Sequence, residues 1–491
     1  MNNIHAFQRK LLMERSVPGR IGSILPDLDV PKQNLPRPEL LRDNLDFPEL
    51  SEPEIVRYFT NLSRLNFSID TNFYPLGSCT MKYNPKINDE IAFSPGYAGL
   101  HPNQPIDEVQ GALTILYRLQ GYLREITGMS GVSLAPLAGA QGELAGVLMM
   151  RRYLMDNGQE QRLKMLIPDS AHGTNPASAK MAGFNVVSVP TDDSGNTNLE
   201  ALRAEATNDL AGIMITLPST LGLFDKNIVE ICNIIHQAGG LVYADGANMN
   251  ALLGQVKIGD LGFDVMHLNL HKTFSTPHGG GGPGAGPVAV KSILEPYLPA
   301  PIIGLNQEPN EKHYYLESPN KSIGKLAAFH GNFGVLVRAY VYIRSLGDYG
   351  LKQISENAVL NANYIKEKLK GYYNLPFDRN CMHEVVFSAT KHKDKGVNGL
   401  SISKRLLDYG FHAPTMYFPL TVDEALLIEP TETESKETLD LFIETMKSID
   451  QEAQSQPDLV HDAPHNTPIR RLDEAKAARE PDLRWSRPEE P

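Results

Sequence analysis

The chain has 491 residues, of which 41% are hydrophobic and 21% are charged, and its net charge at neutral pH is −12. This is the composition of an ordinary globular protein that is long enough for more than one domain. The acidic balance argues against a surface that binds nucleic acid or an anionic membrane, and no apolar run is long enough to span a bilayer. Three scattered cysteines, Cys79, Cys232 and Cys381, exclude a disulfide framework or zinc cluster and favour a cytoplasmic location.

Residues 1–95 are rich in proline and lack a strong hydrophobic period, as in the stretches 25–31, 36–38 and 72–77. Such a long irregular segment is either disordered or wraps across a partner. Its many aromatic and apolar residues favour the second interpretation, so we predict an N-terminal wrapping segment.

Residues 96–334 alternate between strand-like and helix-like patterns. Strands are predicted at 165–168, 185–189, 212–217, 241–244 and 265–270, with helices between them such as 142–153 and 227–237. Nearly continuous apolar strands separated by helices indicate an α/β domain whose mostly parallel sheet is covered on both faces. Ligands of such sheets bind beyond the carboxyl ends of the strands.

Residues 335–454 are predicted to form a smaller C-terminal α/β domain with helices at 356–370, 402–409 and 434–451. The remaining residues, 455–491, combine many charges with prolines. We expect an extended tail that contains one short helix at 472–479.

Two motifs lie beside predicted elements, one before a helix and one after a strand. Gly139, Ala140 and Gln141 precede a helix, where small residues let backbone N–H groups face a phosphate, although a plain helix start is the alternative. His172 follows a predicted strand, where its imidazole can stack on a cofactor ring or simply hydrogen-bond within a loop.

Two further strand ends carry charged residues. Asp245 and Asn248 follow the strand at 241–244, and His271 and Lys272 follow the apolar run Phe263–Leu270. Lys272 in a desolvated site can form an imine with an aldehyde, and Asp245 can keep a pyridine nitrogen protonated. This combination predicts pyridoxal 5′-phosphate (PLP), with Asn248 a candidate donor to its phenolic oxygen. The alternatives are a helix cap for Asp245 and ordinary polar positions for Asn248 and His271.

Two other motifs are not assigned to known ligand sites. The run Gly279–Gly286 is neither a Walker loop nor a dinucleotide fingerprint, and its place after Lys272 favours close backbone approach to a ligand over a flexible linker. His383 and Glu384 lack a second histidine at the zincin spacing, so no metal site is predicted.

Several long motifs resemble the fold-type-I PLP-dependent transferases and, more specifically, the P-protein of the glycine cleavage system, glycine dehydrogenase (decarboxylating). The resemblance spans Leu12 to Trp485, and Ala413 departs from the more usual proline. The motifs that carry it are residues 73–85, 171–176, 269–287, 410–415, 429–435 and 463–468.

P-proteins occur either as one long chain with two homologous halves or as two subunits. This chain carries the lysine motif and resembles subunit 2. The resemblance implies a subunit 1 partner in an α2β2 heterotetramer, docking of the lipoyl H-protein, and later action of the T- and L-proteins.

The implied reaction is decarboxylation of glycine, with transfer of the aminomethyl group to the lipoyl arm of H-protein. Lys272 would hold PLP, Asp245 would support the ring nitrogen, His172 would stack on the ring, and His271 would transfer protons. The segment Gly77–Lys82 is expected to reach the active site, either in its own chain or across a subunit boundary.

Two alternatives remain at this point. One is another PLP enzyme, such as a class-V aminotransferase or a cysteine desulfurase. The other is a non-catalytic scaffold subunit, against which the intact set of Lys272, Asp245 and His172 argues.

Overall fold

A computed structural model of the chain describes residues 10–34, 37–42, 45–279, 284–308 and 311–486. The chain divides into two compact units. One comprises residues 1–71 and 467–491, and the other comprises residues 72–466.

The first unit contains the helices Leu12–Arg15, Glu52–Ser63 and Glu474–Arg479 in its described parts. The helix Glu52–Ser63 lies in a segment predicted to be irregular. It begins with a capping box, because Glu54 accepts hydrogen bonds from the backbone N–H of Ser51 at 2.9 Å and from its hydroxyl at 2.7 Å. The predicted short helix in the tail is confirmed at Glu474–Arg479.

The second unit is built on a seven-stranded sheet with the order β1-β7-β6-β5-β4-β2-β3. Its strands β2 to β6 run parallel, whereas β7 is antiparallel to both β1 and β6. The strands are β1 Gly131–Ser133, β2 Lys164–Pro168, β3 Asn185–Val189, β4 Leu210–Thr216, β5 Leu241–Gly246, β6 Val265–Leu268 and β7 Val288–Val290.

Side chains on the central strands alternate between two hydrophobic clusters. Val242 and Ala244 pack in one cluster, and Leu241 and Tyr243 pack in the other. Because successive residues of a strand point to opposite faces, this alternation means that both faces of the sheet are covered. The predicted two-sided burial is therefore confirmed.

Helices cover this sheet and extend beyond it. The predicted helices at 142–153 and 227–237 are confirmed, with slightly different bounds, as α4 and α7. The helices of the unit are α1 Lys86–Ala92, α2 Pro95–Ala98, α3 Gln110–Thr127, α4 Gly139–Asp156, α5 Thr174–Met181, α6 Leu199–Glu205, α7 Ile228–Gln237, α8 Leu270–Thr273, α9 Phe333–Leu369, α10 Gly399–Asp408, α11 Lys436–Ser455 and α12 Pro457–His461.

The helix α9 begins well before the predicted start at residue 356. Gly347, with φ of 63°, interrupts it, so two helical segments follow each other. The first segment buries Val335, Leu336 and Ala339, and its hydrophobic spacing is that of a helix.

One predicted strand ends earlier than expected. The apolar run 265–270 was predicted to be a single strand, but β6 ends at Leu268 and Asn269 is the N-cap of α8. Lys272 therefore lies on a helical turn after the strand. The apolar character of Leu270 reflects burial, which strands and helices share, so the run did not mark the boundary.

A second, antiparallel sheet has the order β10-β12-β11, and a separate hairpin joins β8 to β9. Their bounds are β8 Ile302–Glu308, β9 Glu311–Glu317, β10 Val385–Ser388, β11 Thr415–Met416 and β12 Ala425–Ile428. The predicted domain limits at residues 95, 334 and 454 stay predictions.

None of the helices in the described ranges is long and apolar enough to cross a membrane.

The core offers a matched pair of Leu→Ala substitutions in helices. Leu119 on α3 is fully buried, whereas Leu441 on α11 is 63% exposed. We expect Leu119→Ala to lower the free energy of unfolding by about 2–5 kcal/mol, because it removes packed methyl groups and leaves a cavity. Leu441→Ala should change it by less than about 0.5 kcal/mol. Denaturant titration measures both, and equal effects would contradict this assignment of the core.

Candidate active site around Lys272

Lys272 is buried on the short helix α8, with 9% of its surface exposed. Its Nζ donates a hydrogen bond of 2.6 Å to the backbone carbonyl of Ser78. The lysine thus points into the protein toward a segment that lies nearly two hundred residues earlier in the chain.

Asp245 lies at the carboxyl end of β5 and is 2% exposed. Its carboxylate accepts hydrogen bonds from the Ala247 N–H at 3.0 Å and from Asn175 Nδ2 at 3.1 Å. Burial by itself raises the pKa of Asp245, but His267 and these hydrogen bonds together hold that pKa below its ordinary value. Asp245 is therefore an ionised carboxylate inside the protein.

His267 on β6 lies opposite Asp245 in the parallel pairing of β5 with β6. Its Nε2 is 3.4 Å from Asp245 Oδ1, and its Nδ1 is 2.5 Å from the hydroxyl of Tyr243. Burial lowers the pKa of His267 and raises that of Tyr243. A neutral His267 then accepts a hydrogen bond from the Tyr243 hydroxyl at Nδ1, and its Nε2 lies close to Asp245.

His172 lies just after β2, in the loop that leads into α5. Its backbone N–H donates to Thr216 Oγ1 at 3.2 Å, and its ring meets Phe418 edge to face at 5.8 Å. Burial lowers the pKa of His172, and Lys272 acts in the same direction while Asp245 opposes it. The ring is therefore neutral near Asp245 and Lys272, and its stacking on a cofactor stays a prediction.

His271 and His278 form an edge-to-face pair, with ring centroids 5.1 Å apart. Burial, together with the neighbouring charges, lowers the pKa of His271 to about 3 and that of His278 to about 4. Both rings are therefore uncharged near neutral pH. A catalytic role for His271 stays a prediction, and residues 280–283 of the predicted glycine run lie outside the described residues.

Asn248 is buried just after β5, with its side-chain nitrogen 3.0 Å from the Pro218 carbonyl and 3.5 Å from Glu384 Oε1. Its Oδ1 has no hydrogen-bond partner among the described residues. Asn248 is thus no ordinary surface residue, and its predicted contact with a cofactor remains untested.

Gly139, Ala140 and Gln141 form the first turn of α4, where backbone N–H groups have no acceptor within the helix. The Gln141 side chain accepts from the Leu137 N–H at 2.7 Å and so closes the turn. A Cβ on Gly139 would lie 2.2 Å from Asn269 Oδ1, so only glycine permits this approach between α4 and the start of α8. The predicted phosphate cradle is therefore brought to the loop that carries Lys272.

Two buried carboxylates hold the turn Ser78–Thr80 over Lys272. Glu384 Oε2 accepts from the Ser78 N–H at 2.7 Å, and Glu429 Oε2 accepts from the Thr80 N–H at 2.8 Å. Ser78 and Thr80 both have positive φ, of 65° and 45°, a conformation that needs such support. The segment 77–82 therefore contacts Lys272 within its own chain, and its part in an active site stays a prediction.

The turn is also tied to the second sheet. The Gly77 N–H donates to the Leu427 carbonyl at 3.2 Å, and the Gly77 carbonyl accepts from the Thr415 hydroxyl at 2.7 Å. A Cβ on Gly77 would lie 2.3 Å from the Leu427 side chain. The sequence 76–80 thus runs beside β12 before it reaches Lys272.

His383 lies between the two carboxylates, with its Nε2 3.9 Å from both Glu384 and Glu429. The three side chains are close enough to share a metal ion. Burial lowers the pKa of His383 to about 3 and raises the pKa of both glutamates, that of Glu429 to about 7. The prediction that no metal binds here stays a prediction.

A second buried lysine, Lys82, is engaged differently. Its Nζ donates to Glu432 Oε1 at 2.7 Å, to the Thr273 carbonyl at 2.8 Å and to Asn250 Oδ1 at 2.9 Å. All three ammonium protons therefore have acceptors, and Lys82 anchors the segment 77–82 to the chain that follows Lys272.

Four residues that contact the predicted ones or the turn over Lys272 were not predicted from the sequence: His267, Asn175, Glu384 and Glu429. Asn175 and Glu429 both lie in the motifs that carry the resemblance, and His267 lies inside an apolar strand. A polar residue inside such a strand is the one signal that pointed to His267, because a buried histidine needs partners.

Glu429 generates a prediction about stability and pH. A carboxyl whose pKa is raised from 4.5 to about 7 by folding stabilises the protein at low pH, and this stabilisation is lost as pH rises through that range. Glu429→Gln keeps an acceptor for the Thr80 N–H but cannot ionise. We expect the melting temperature of Glu429→Gln, relative to that of the wild type, to rise between about pH 5 and about pH 8.

The control is Glu200→Gln, because Glu200 is exposed on α6. It should not reproduce the trend. A difference between Glu429→Gln and the wild type that stays constant with pH would contradict a protonated Glu429.

Two family models match the chain. One, described as glycine dehydrogenase, C-terminal domain, matches residues 354–470, and one described as aminotransferase class-V matches residues 150–294. Among solved structures, a glycine decarboxylase (P-protein) of the glycine cleavage system is similar with a TM-score of 0.72 and 19% identity, over 84% of this chain and 93% of that one. A cysteine desulfurase from Thermococcus onnurineus NA1 has a TM-score of 0.60 and 15% identity, over 78% and 95%. These structures show the fold alone, and with the mostly parallel sheet they confirm the predicted fold-type-I α/β class.

Two relatives carry the name probable glycine dehydrogenase (decarboxylating) subunit 2. The protein from Caldanaerobacter subterraneus subsp. tengcongensis is 54% identical over 97% of this chain and 99% of its own length. The protein from Pyrococcus furiosus is also 54% identical, over 97% of this chain and 95% of its own length. At this identity over nearly the whole length, the chain belongs to the glycine dehydrogenase (decarboxylating) subunit 2 family.

Proposed function

We propose that this chain is the cofactor-carrying subunit of a glycine decarboxylase. With PLP attached to Lys272, it removes CO2 from glycine and transfers the aminomethyl group to the lipoyl arm of H-protein. The observation that carries the proposal is the 54% identity to subunit 2 proteins over 97% of the chain. The geometry around Lys272 and Asp245 supports the choice of cofactor.

The donor set fits PLP because Asp245 lacks a full positive charge to balance it. Among the described residues, the one group at ion-pair distance from Asp245 is His267, and its pKa is lowered. A buried carboxylate without a cation is costly. A protonated ring nitrogen is the cation that this position suits, and Asp245 would keep the proton on it.

When bound, PLP supplies an electron sink for the bonding electrons that remain on the glycine α-carbon as CO2 departs. The other tasks fall to the protein. Lys272 would hold the cofactor covalently, His172 would cover one face of its ring, and the N–H groups of Gly139 to Gln141 would hold its phosphate. Asn248 would contact the phenolic oxygen.

The carbonyl of Ser78 has a defined task in this scheme. It accepts a hydrogen bond from Lys272 Nζ at 2.6 Å, so it would offer an acceptor to the free amine when glycine takes the place of the lysine. The rings of His271 and His278 stay neutral near neutral pH, so they add no positive charge beside the amine. Burial of the lysine excludes water from this exchange.

The name subunit 2 implies a partner, subunit 1. We propose that the two subunits form an α2β2 heterotetramer in the cytoplasm. H-protein docks on this assembly, and the T- and L-proteins act later. Three free cysteines support that compartment. The N-terminal unit supports a protein partner, because its apolar side chains Ile24, Leu25 and Phe47 are 92%, 83% and 75% exposed.

The lysine assignment is tested by borohydride reduction of the PLP-loaded chain and peptide mapping. We expect the label on Lys272, because its amine has to break a single hydrogen bond before it reacts. Lys82 is the internal control, since it is also buried but each of its three ammonium protons has a hydrogen-bond acceptor. Lys272→Ala should lose the label completely, and a label on Lys82 or any other lysine would overturn the assignment.

The reaction is tested by exchange of labelled bicarbonate into the carboxyl group of glycine. Exchange should require this chain, subunit 1 and H-protein together, and Lys272→Ala should reduce it to background. Full exchange by the isolated chain would contradict the two-subunit proposal, while exchange with another amino acid in preference to glycine would contradict the substrate.

A further inference from the structure

Glu143 is a buried carboxylate that the proposed function does not use. It lies in the second turn of α4, is 2% exposed, and its Oε2 is 2.8 Å from the hydroxyl oxygen of Thr174. The same hydroxyl oxygen is 2.9 Å from Nδ1 of His172. The side chains of Glu143 on α4 and of Thr174 at the start of α5 therefore form one continuous path to His172, two residues before Thr174.

We propose that Glu143 is a positioning residue for His172: through the Thr174 hydroxyl, it sets which ring nitrogen of His172 carries the proton. The inference deepens the proposed function and rests on it, since His172 matters to catalysis only if its ring lies against the cofactor. The connection itself is a property of the protein without cofactor.

The number of hydrogen-bond donors along the path is limited. The Thr174 hydroxyl has one proton, and an ionised Glu143 can only accept it. Thr174 Oγ1 must then accept from His172, so the ring proton is on Nδ1 and Nε2 has a free lone pair. When Glu143 is protonated it can donate to Thr174 instead, and the threonine proton turns to Nδ1. The ring proton is then on Nε2.

A second contact distinguishes the two arrangements. The backbone N–H of Thr174 donates to His172 Nδ1 at 3.3 Å, which requires a lone pair on Nδ1. This contact favours the arrangement in which Glu143 is protonated. The Oε1 atom of Glu143 supports the same arrangement. It is buried and has no hydrogen-bond partner among the described residues, which is costly for an ionised carboxylate.

The charges around the path allow both states near neutral pH. Burial raises the pKa of Glu143 to about 7, and the negative charge of Asp245 adds to this, while polar side chains of α5 oppose it. Glu143 also faces Tyr243, whose raised pKa keeps that phenol neutral. His172 faces Asp245, Lys272 and His267, and burial lowers its pKa, so it changes tautomer without becoming an imidazolium.

The consequence is a switch in what His172 presents at Nε2. Below about pH 7 this atom is an N–H donor, and above it the atom is an acceptor. Glu143 thereby couples the pH of the solution to the hydrogen-bonding character of His172 Nε2 at the proposed cofactor site.

The test is a pH titration of the full-length chain labelled with 15N-histidine, recorded by NMR with and without PLP. His172→Gln identifies the His172 signals among those of the 14 histidines. In the wild type we expect the protonated nitrogen to change from Nε2 to Nδ1 with a midpoint at about 7. Glu143→Gln should abolish this midpoint, because the amide does not titrate.

Thr174 provides the matched pair. Thr174→Val removes the hydroxyl and should also abolish the change, whereas Thr174→Ser keeps a hydroxyl and should retain it. Glu434→Gln is the control for removing a carboxyl, because burial raises the pKa of Glu434 to about 7 as well and no hydrogen bond joins it to His172 among the described contacts. It should leave the midpoint unchanged.

The proposal is overturned if Glu143→Gln or Thr174→Val keeps the wild-type midpoint, or if His172 becomes doubly protonated in this range. Failure of the proposed function is a separate result. It would appear as absence of the borohydride label on Lys272, and it would leave the titration of the cofactor-free chain readable.

Discussion

The ionised carboxylate of Asp245, buried at the end of β5, is the constraint on which the rest of the site depends. A charge in that position is tolerated only where hydrogen-bond donors surround it. Asn175, the Ala247 N–H and the Thr216 hydroxyl supply three, and the neutral His267 lies 3.4 Å away. The site is thus incomplete without a cation, which is why a protonated cofactor nitrogen suits it.

The low-polarity surroundings of Asp245 act on every other titratable group nearby. They lower the pKa of His172, His271 and His278 and raise that of Glu143, so these groups are close to neutral. Asp245 is then the dominant fixed charge beside Lys272. Surroundings that penalise charge favour a step in which a carboxylate leaves as neutral CO2. In the same surroundings, protons move by a change of histidine tautomer more readily than by formation of charged groups.

The turn at Ser78–Thr80 shows how the small sheet contributes to the site. Glu384 and Glu429 both lie beside its strands β10 and β12, and each accepts a backbone N–H of the turn. The positive φ angles of the turn are held by these bonds and by its pairing with β12. Lys272 receives its acceptor from a segment that this second sheet positions, so both sheets contribute to the surroundings of Lys272.

The sequence by itself determined the parallel α/β architecture, because the apolar runs are strand-sized and separated by helical periods, and it identified Lys272, Asp245 and His172 at the loops after them. It placed Lys272 at the end of a strand, whereas the lysine lies on a helical turn, because Leu270 is buried in either case. The roles of Glu143, Glu384 and Glu429 were decided by the tertiary structure alone. Their partners lie 31, 306 and 349 residues away in the chain, and hydrogen bonds over such separations leave no local pattern in the sequence.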